Sequence, residues 1–181
     1  MTKSAGWRTE IVASWQYQYP MDYRALIKTD HASASASLSY KGTPEAGMLA
    51  WLDSNELKQW WKADTAIIEP FEGGMFYVTW HEHSGKGQHA LYGIMDKVDT
   101  QNNNIAVAKI MYISPSVKIG HIHLHLHFEA IGNETRMDMT STHNISGQLL
   151  HLYQSSILDS WPKTIAIFKN YMERRSLFLD K

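Results

Sequence analysis

Between residues 64 and 143, short alternating patterns of apolar and polar residues follow one another without an intervening helical pattern. A period of two residues predicts strands, and the connections between them contain turn residues such as Gly73-Gly74 and Gly132-Asn133. Connections this short join only antiparallel neighbours. The predicted strands span about 64–70, 75–82, 88–98, 104–113, 120–131 and 134–143. This run restricts the fold to one built around an antiparallel sheet.

The preceding segment predicts one more strand and two short helices. Residues 32–40 alternate small apolar residues with serines, which is typical of a strand with one buried face. Thr43, Pro44 and Glu45 then suit the N-cap, first position and first turn of a helix. A second short helix, capped by Asp53 or Ser54, follows it. Seven strands with helices outside the run predict an α+β domain.

The last long segment, residues 147–175, predicts a helix with a wide apolar face. Apolar residues recur there at spacings of four, three and four, as in Trp161, Ile165, Phe168 and Met172. Such a face must pack on another element, and the sheet is the available surface. Because Pro162 lacks a backbone N–H, we expect one long helix with a disturbance at that residue.

The first 30 residues are separate from this pattern. Residues 11–19 alternate like a strand and stop at Pro20, and a short helix is predicted at about 22–28. We therefore divide the chain into an N-terminal extension at 1–30, forming an extra strand or a lid, and a domain at 31–181.

Composition excludes several classes of function. The 17 basic and 18 acidic residues nearly cancel, so nucleic acid is not an expected partner. The absence of cysteine rules out disulfides, a thiol nucleophile and thiolate metal sites. No apolar run has membrane-spanning length and the first residues lack a signal-like core, so we expect a cytoplasmic protein without membrane contact. Phosphate-binding and dinucleotide-binding glycine motifs are absent as well, so no cofactor is predicted.

Three motifs in this order resemble a known family. The motifs are TPEAGMLAWLDSNELKQWW at 43–61, IEPFEGGMFYVTW at 68–80 and the closing helix at 161–173. They are similar to the activator of heat shock protein 90 ATPase homologue-like family, within the START-like or SRPBCC superfamily that includes the birch pollen allergen. The resemblance covers about 32–177. It implies a helix-grip fold, a seven-stranded antiparallel sheet curved around a long C-terminal helix with two short helices after the first strand.

The sequence also contains a strand with four alternating histidines, at positions 121 to 127. Histidines two apart on a strand lie roughly 6.5–7 Å apart and can share a metal ion, so His121, His123 and His125 are weak candidates for a metal site. Zinc requires three or four ligands, and no third ligand on a neighbouring strand can be assigned. The favoured interpretation is a solvated outer face, with the alternate apolar residues turned towards the helix. His81 and His83 form a similar pair, interpreted as a polar strand end.

The apolar residues that turn between sheet and helix predict a cavity for a small hydrophobic molecule. The small side chains of Ala32, Ala34 and Ala36 indicate that space is left there. The predicted cavity residues are Trp60, Trp61, Phe76, Val78, Trp80, Tyr92, Leu124, Leu126, Met137, Met139, Tyr153, Ile157, Trp161 and Phe168.

Three functions are consistent with these features. The first is a binding protein for a small hydrophobic ligand. The second is a cyclase-like or dehydratase-like enzyme that uses His143, His151 or Tyr153 as an acid or base. The third, implied only by the family's name, is a chaperone ATPase activator, and a chaperone partner is not expected because the additional N-terminal domain of the eukaryotic co-chaperones is missing. The family has no common catalytic residues, so an enzyme is not favoured, and a homodimer through the N-terminal strand is left open.

Overall fold

The computed structural model describes residues 26–30, 32–81 and 87–179, with side chains as far as Ser176. The strands are β1 (Ile27–Thr29), β2 (Ser33–Lys41), β3 (Thr65–Ile68), β4 (Met75–His81), β5 (Gln88–Asp99), β6 (Asn104–Ile113), β7 (Lys118–Ile131) and β8 (Glu134–His143). The helices are α1 (Pro44–Leu52), α2 (Ser54–Trp61) and α3 (Gln148–Leu179). The predicted order of elements from residue 32 onwards is confirmed.

All the described strands belong to one antiparallel sheet, in the order β1-β2-β8-β7-β6-β5-β4-β3. With the long C-terminal helix, this architecture confirms the α+β helix-grip fold. The predicted number of seven strands was wrong, because Ile27–Thr29 pairs with β2 and adds an eighth. The predicted helix at 22–28 is contradicted at Ile27 and Lys28, and the predicted strand at 11–19 lies outside the described residues.

Local side-chain chemistry sets the ends of the two short helices. The Thr43 hydroxyl accepts a hydrogen bond from the Ala46 N–H at 3.2 Å, with Pro44 in the first helical position. The Asp53 carboxylate accepts from the N–H groups of Asn55 and Glu56 at 2.9 Å each. Both predicted caps are therefore confirmed. They satisfy N–H groups that have no partner within a helix.

Helix α3 covers the apolar side of the sheet. Its buried face includes Ile165, Phe168 and Met172, as the spacing predicts, and it packs on β2 and on α2. The helix continues through Pro162 without a break. No helix in the described residues is long and apolar enough to cross a membrane.

Two bulges in neighbouring strands change which residues face α3. Lys109 in β6 and His121 in β7 have left-handed φ values of 53° and 61°, and each lies beside a shift in strand register. An extra residue reverses the alternation of side chains from that point. A strict period of two predicts that Ala106 and Ala108 share the inward face of Ile110 and Tyr112. This prediction was wrong, because Ala106 and Ala108 pair with His125 and Ile94 on the outer face.

Candidate functional site

A cavity of about 330 Å³ lies between the sheet and the first half of α3. Its wall combines side chains from α1, α2, five strands and α3. The lining residues are Trp51, Trp61, Phe76, Trp80, His89, Leu91, Ile110, Tyr112, Ile119, Ile122, Leu124, Met139, Ser141, Tyr153, Ser156, Ile157, Ser160, Trp161 and Thr164. The volume is near the lower end of the range for small-molecule sites, and the wall is mainly apolar.

Tryptophan side chains form one part of this wall. Trp61 stacks on Trp60 with ring centroids 5.1 Å apart and planes 4° apart, and the edge of Trp80 approaches Trp61 at 4.8 Å. Trp51 contacts both rings of the double tryptophan, at 4.9 and 5.4 Å. Hydrogen bonds hold two of the indoles, since the Nε1–H of Trp60 donates to the Ala50 carbonyl at 2.7 Å and that of Trp80 to the Trp61 carbonyl at 3.2 Å. The wall is thus aromatic and held in place before any ligand binds.

A buried hydroxyl pair lies on the β8 side of the cavity. The oxygens of Ser141 in β8 and Tyr153 in α3 are 2.7 Å apart, and the two residues are only 2% and 6% exposed. Burial raises the pKa of Tyr153, and the hydrogen bond to Ser141 opposes that shift only in part. The phenol therefore stays protonated at neutral pH.

A second polar pair joins β5 to β6. His89 Nδ1 and the Tyr112 hydroxyl oxygen are 2.6 Å apart, and both residues line the cavity. On α3, the Thr164 hydroxyl donates to the Ser160 carbonyl at 3.2 Å. The cavity thus offers a few hydrogen-bonding groups in an apolar wall, an arrangement that can orient a ligand.

The histidines predicted as acid or base candidates are not part of the wall. His143 is buried, its Nδ1 accepts from the Ile145 N–H at 3.3 Å, and its ring contacts the Tyr153 ring edge-on at 4.6 Å. Burial lowers the pKa of His143, and the charge of Asp30 opposes this shift. His151 is exposed on α3. Of the three candidates, only Tyr153 lines the cavity.

The structure brings together more than half of the predicted cavity residues. Those in the wall are Trp61, Phe76, Trp80, Leu124, Met139, Tyr153, Ile157 and Trp161. Those packed in the core outside the wall are Trp60, Val78, Leu126, Met137 and Phe168. The predicted inward orientation of Tyr92 was wrong, because this side chain is 38% exposed on the outer face and its hydroxyl donates to Met111 Sδ. A ligand-binding role for the wall residues stays a prediction.

Several wall residues escaped the sequence analysis. His89 and Leu91 lie opposite Trp80 and Val78 in the β4–β5 pairing, so they face the same side of the sheet. Register counted outwards from the turn-like sequence Ser84-Gly85-Lys86-Gly87 could have placed them there. Trp51 lies on α1. No spacing of residues in the sequence distinguishes a side chain that lines the cavity from one that packs in the core.

The histidine strand faces away from the cavity, as predicted. His121, His123 and His125 are exposed, whereas Ile122 and Leu126 are buried beneath α3. Although His125 is largely exposed, its partial desolvation, together with the charges of His127 and Lys97, lowers its pKa.

No metal-binding group forms around these histidines in the described residues. In those ranges, no cluster of three or more His, Asp or Glu side chains could hold a metal ion. His81 instead approaches Asp64 with Nδ1 and Oδ2 2.7 Å apart, and its predicted partner His83 lies outside the described residues.

Comparison with solved structures identifies the fold. A protein from Arthrobacter aurescens superposes with a TM-score of 0.68 and 15% identity, covering 82% of this chain and 91% of that one. A Mycobacterium smegmatis protein gives 0.67 and 12% identity, covering 84% and 97%. A Plasmodium falciparum protein described as an HSP90 activator gives 0.50 and 15%, covering 69% and 86%. At these identities the likeness shows the fold alone.

Comparison at the level of sequence gives the family. The search of curated proteins found no match. The family model for Activator of Hsp90 ATPase homolog 1-like protein matches residues 49–173, which include α2, strands β3 to β8 and most of α3. The chain therefore belongs to the Activator of Hsp90 ATPase homolog 1-like family.

Proposed function

We propose that this protein binds a small, mainly apolar molecule in the cavity between the sheet and α3. The observation that carries the proposal is a volume of about 330 Å³ whose wall includes four tryptophans, Trp51, Trp61, Trp80 and Trp161. An empty apolar cavity forfeits dispersion contacts and costs free energy, and an apolar ligand restores those contacts. The preformed aromatic wall would reduce the ordering cost of binding.

Native mass spectrometry of the purified chain tests this proposal directly. We expect native spectra to contain an adduct that denaturation releases as a small organic molecule. Ethylbenzene, added to protein stripped of that molecule, provides a second test, since a hydrocarbon can bind only through apolar contacts. A native mass equal to that of the bare chain, together with no detectable ethylbenzene binding by NMR titration, would overturn the proposal.

A matched pair of serine variants locates the site. Ser156 lines the cavity and is half-buried, so the added ring in Ser156→Phe takes up cavity volume. Ser155 precedes it on the same helix but is exposed, so Ser155→Phe adds the same ring outside the cavity. We expect ethylbenzene affinity to fall roughly tenfold or more in Ser156→Phe, corresponding to about 1.4 kcal/mol or more of lost contacts, and to stay unchanged in Ser155→Phe. Equal affinities in the two variants would place the ligand elsewhere.

The alternative functions predict different observations. An enzyme of the cyclase or dehydratase kind would convert the released molecule, so that its mass changes on incubation with fresh protein. A chaperone activator would accelerate ATP hydrolysis by purified Hsp90, and Ser156→Phe would leave that acceleration intact.

A further inference from the structure

The buried pair of Ser141 and Tyr153 has more hydrogen-bond donors than it uses. Each hydroxyl carries one hydrogen, and the 2.7 Å contact between the oxygens uses only one of the two. Neither side chain makes another hydrogen bond within residues 26–30, 32–81 and 87–179. Whichever hydroxyl donates to the other, one O–H donor therefore lacks an acceptor among the residues that the structure describes.

This donor lies in the cavity wall, among apolar side chains. Leu124 is the strand partner of Ser141, and Ile157 follows Tyr153 by one helical turn; both line the cavity. A buried donor without an acceptor loses the free energy of its former hydrogen bond to water. Deprotonation does not remove this cost, because burial keeps Tyr153 in its neutral form. An acceptor atom brought in by the cavity's occupant would remove it.

We infer that the ligand of this cavity carries an acceptor oxygen, such as a ketone or another carbonyl, and that the Ser141–Tyr153 pair donates a hydrogen bond to it. This inference rests on the proposed function and narrows the ligand class from hydrocarbons to apolar molecules with an oxygen function. The aromatic wall around Trp61 and Trp80 is on the far side, because β8 and β4 are four strand positions apart, roughly 19 Å along the sheet. The oxygen function would therefore lie at the end of the molecule that is remote from Trp61 and Trp80.

Acetophenone and ethylbenzene test the inference, because they differ only in a carbonyl group in place of a methylene group. The measured quantity is the ketone preference, defined as the affinity for acetophenone divided by that for ethylbenzene. It is obtained by NMR titration of the tryptophan indole N–H signals. The wild type is compared with Ser141→Ala, Tyr153→Phe and the double variant. The His89–Tyr112 pair is present in all of these proteins, so its contribution cancels in the comparison.

Proton counting predicts the ranking of the variants. Each single variant still has one hydroxyl hydrogen to donate, so it should retain part of the ketone preference. The double variant has none, and we expect its preference to fall roughly three- to tenfold, as for the loss of one hydrogen bond. The control is Tyr171→Phe, the same change on the same helix, whose hydroxyl donates to Glu56 at 3.1 Å outside the cavity. It should leave the preference unchanged.

The outcomes separate this inference from the proposed function. If both compounds bind and the double variant keeps the wild-type preference, or if Tyr171→Phe lowers it equally, the inference fails and the cavity proposal stands. If neither compound binds the wild type, the inference fails, and the cavity proposal fails with it when the native mass also equals that of the bare chain.

An infrared measurement needs no folded double variant. The carbonyl band of carbon-13-labelled acetophenone should lie at a lower frequency when the ketone is bound to the wild type than when it is dissolved in hexane. This shift to lower frequency should be smaller when the ketone is bound to Ser141→Ala or Tyr153→Phe. A bound band at the hexane position would overturn the inference.

Discussion

Replacing Gly47 by alanine should destabilise the protein, although Gly47 lies inside a helix. In an isolated helix this change would stabilise the helix by about 1 kcal/mol, because alanine has a higher helix propensity than glycine. Here α1 packs closely on the sheet, and a Cβ on Gly47 would lie 2.8 and 2.9 Å from ring carbons of Phe128 and closer still to the Tyr40 hydroxyl. Both rings are fully buried, and Tyr40 also packs edge-on against Phe168 at 5.5 Å. Neither ring has room to move away.

The magnitude follows from opposing contributions. Overpacking a filled core costs about 2 kcal/mol, and loss of the hydrogen bond from Tyr40 to the Thr43 carbonyl, 3.4 Å long, costs about 1 kcal/mol. Against the propensity gain of about 1 kcal/mol, the net loss is roughly 2 kcal/mol. For a domain of this size that corresponds to a Tm lower by roughly 4–8 °C.

Urea denaturation followed by circular dichroism measures the effect. Ser155→Ala is the control, since this exposed helical position gains propensity without meeting a neighbour. In a Tyr40→Phe background, which removes the nearest obstacle, Gly47→Ala should cost about 1 kcal/mol less than in the wild type. A Gly47→Ala protein at least as stable as the wild type would refute the packing argument.

Two further predictions concern charged groups. The Glu56 carboxylate accepts hydrogen bonds from Arg175 and Tyr171 and so links α2 to α3. Glu56→Gln should therefore lower the free energy of unfolding, measured by urea denaturation, by roughly 1–3 kcal/mol. The loss should be larger than in the control Glu173→Gln, which breaks only a surface pair with Lys169, and equal losses would contradict the prediction. Burial lowers the pKa of His143 in the folded protein below its usual 6.5. As the pH falls, His143 is therefore protonated in the unfolded chain before it is protonated in the folded protein. The stability that this residue contributes is present above pH 6.5 and is lost as the pH falls through the lowered folded-state pKa. His143→Asn, which keeps an acceptor for the Ile145 N–H, should therefore reduce the decline in unfolding free energy below pH 6.5, and an unchanged pH profile would contradict this.

Local patterns predicted most of the fold because the physics behind them is local. Alternation and turn residues placed the strands, and the hydroxyl of Thr43 and the carboxylate of Asp53 placed the starts of the short helices. The inward and outward faces of the histidine strand were predicted correctly from a period of two. The missed strand at Ile27–Thr29 has only three residues, which is too short for a period to show.

The cavity was less predictable, because its wall depends on register and on where α3 crosses the sheet. An inward direction does not distinguish Trp60, packed in the core, from Trp61, which lines the cavity. Tyr92 was misplaced because the alternation within β5 was read without its pairing to β4. His89 was missed for the same reason.

The sequence by itself determined the order and type of the elements, since propensity, period and capping act over a few neighbouring residues. Only the tertiary structure decided what those elements enclose. It brought Ser141 of β8 within 2.7 Å of Tyr153 of α3, introduced bulges at Lys109 and His121, and made Gly47 a contact point for Tyr40. Each of these depends on atoms that are far apart in the chain and meet only after the sheet and α3 have packed together.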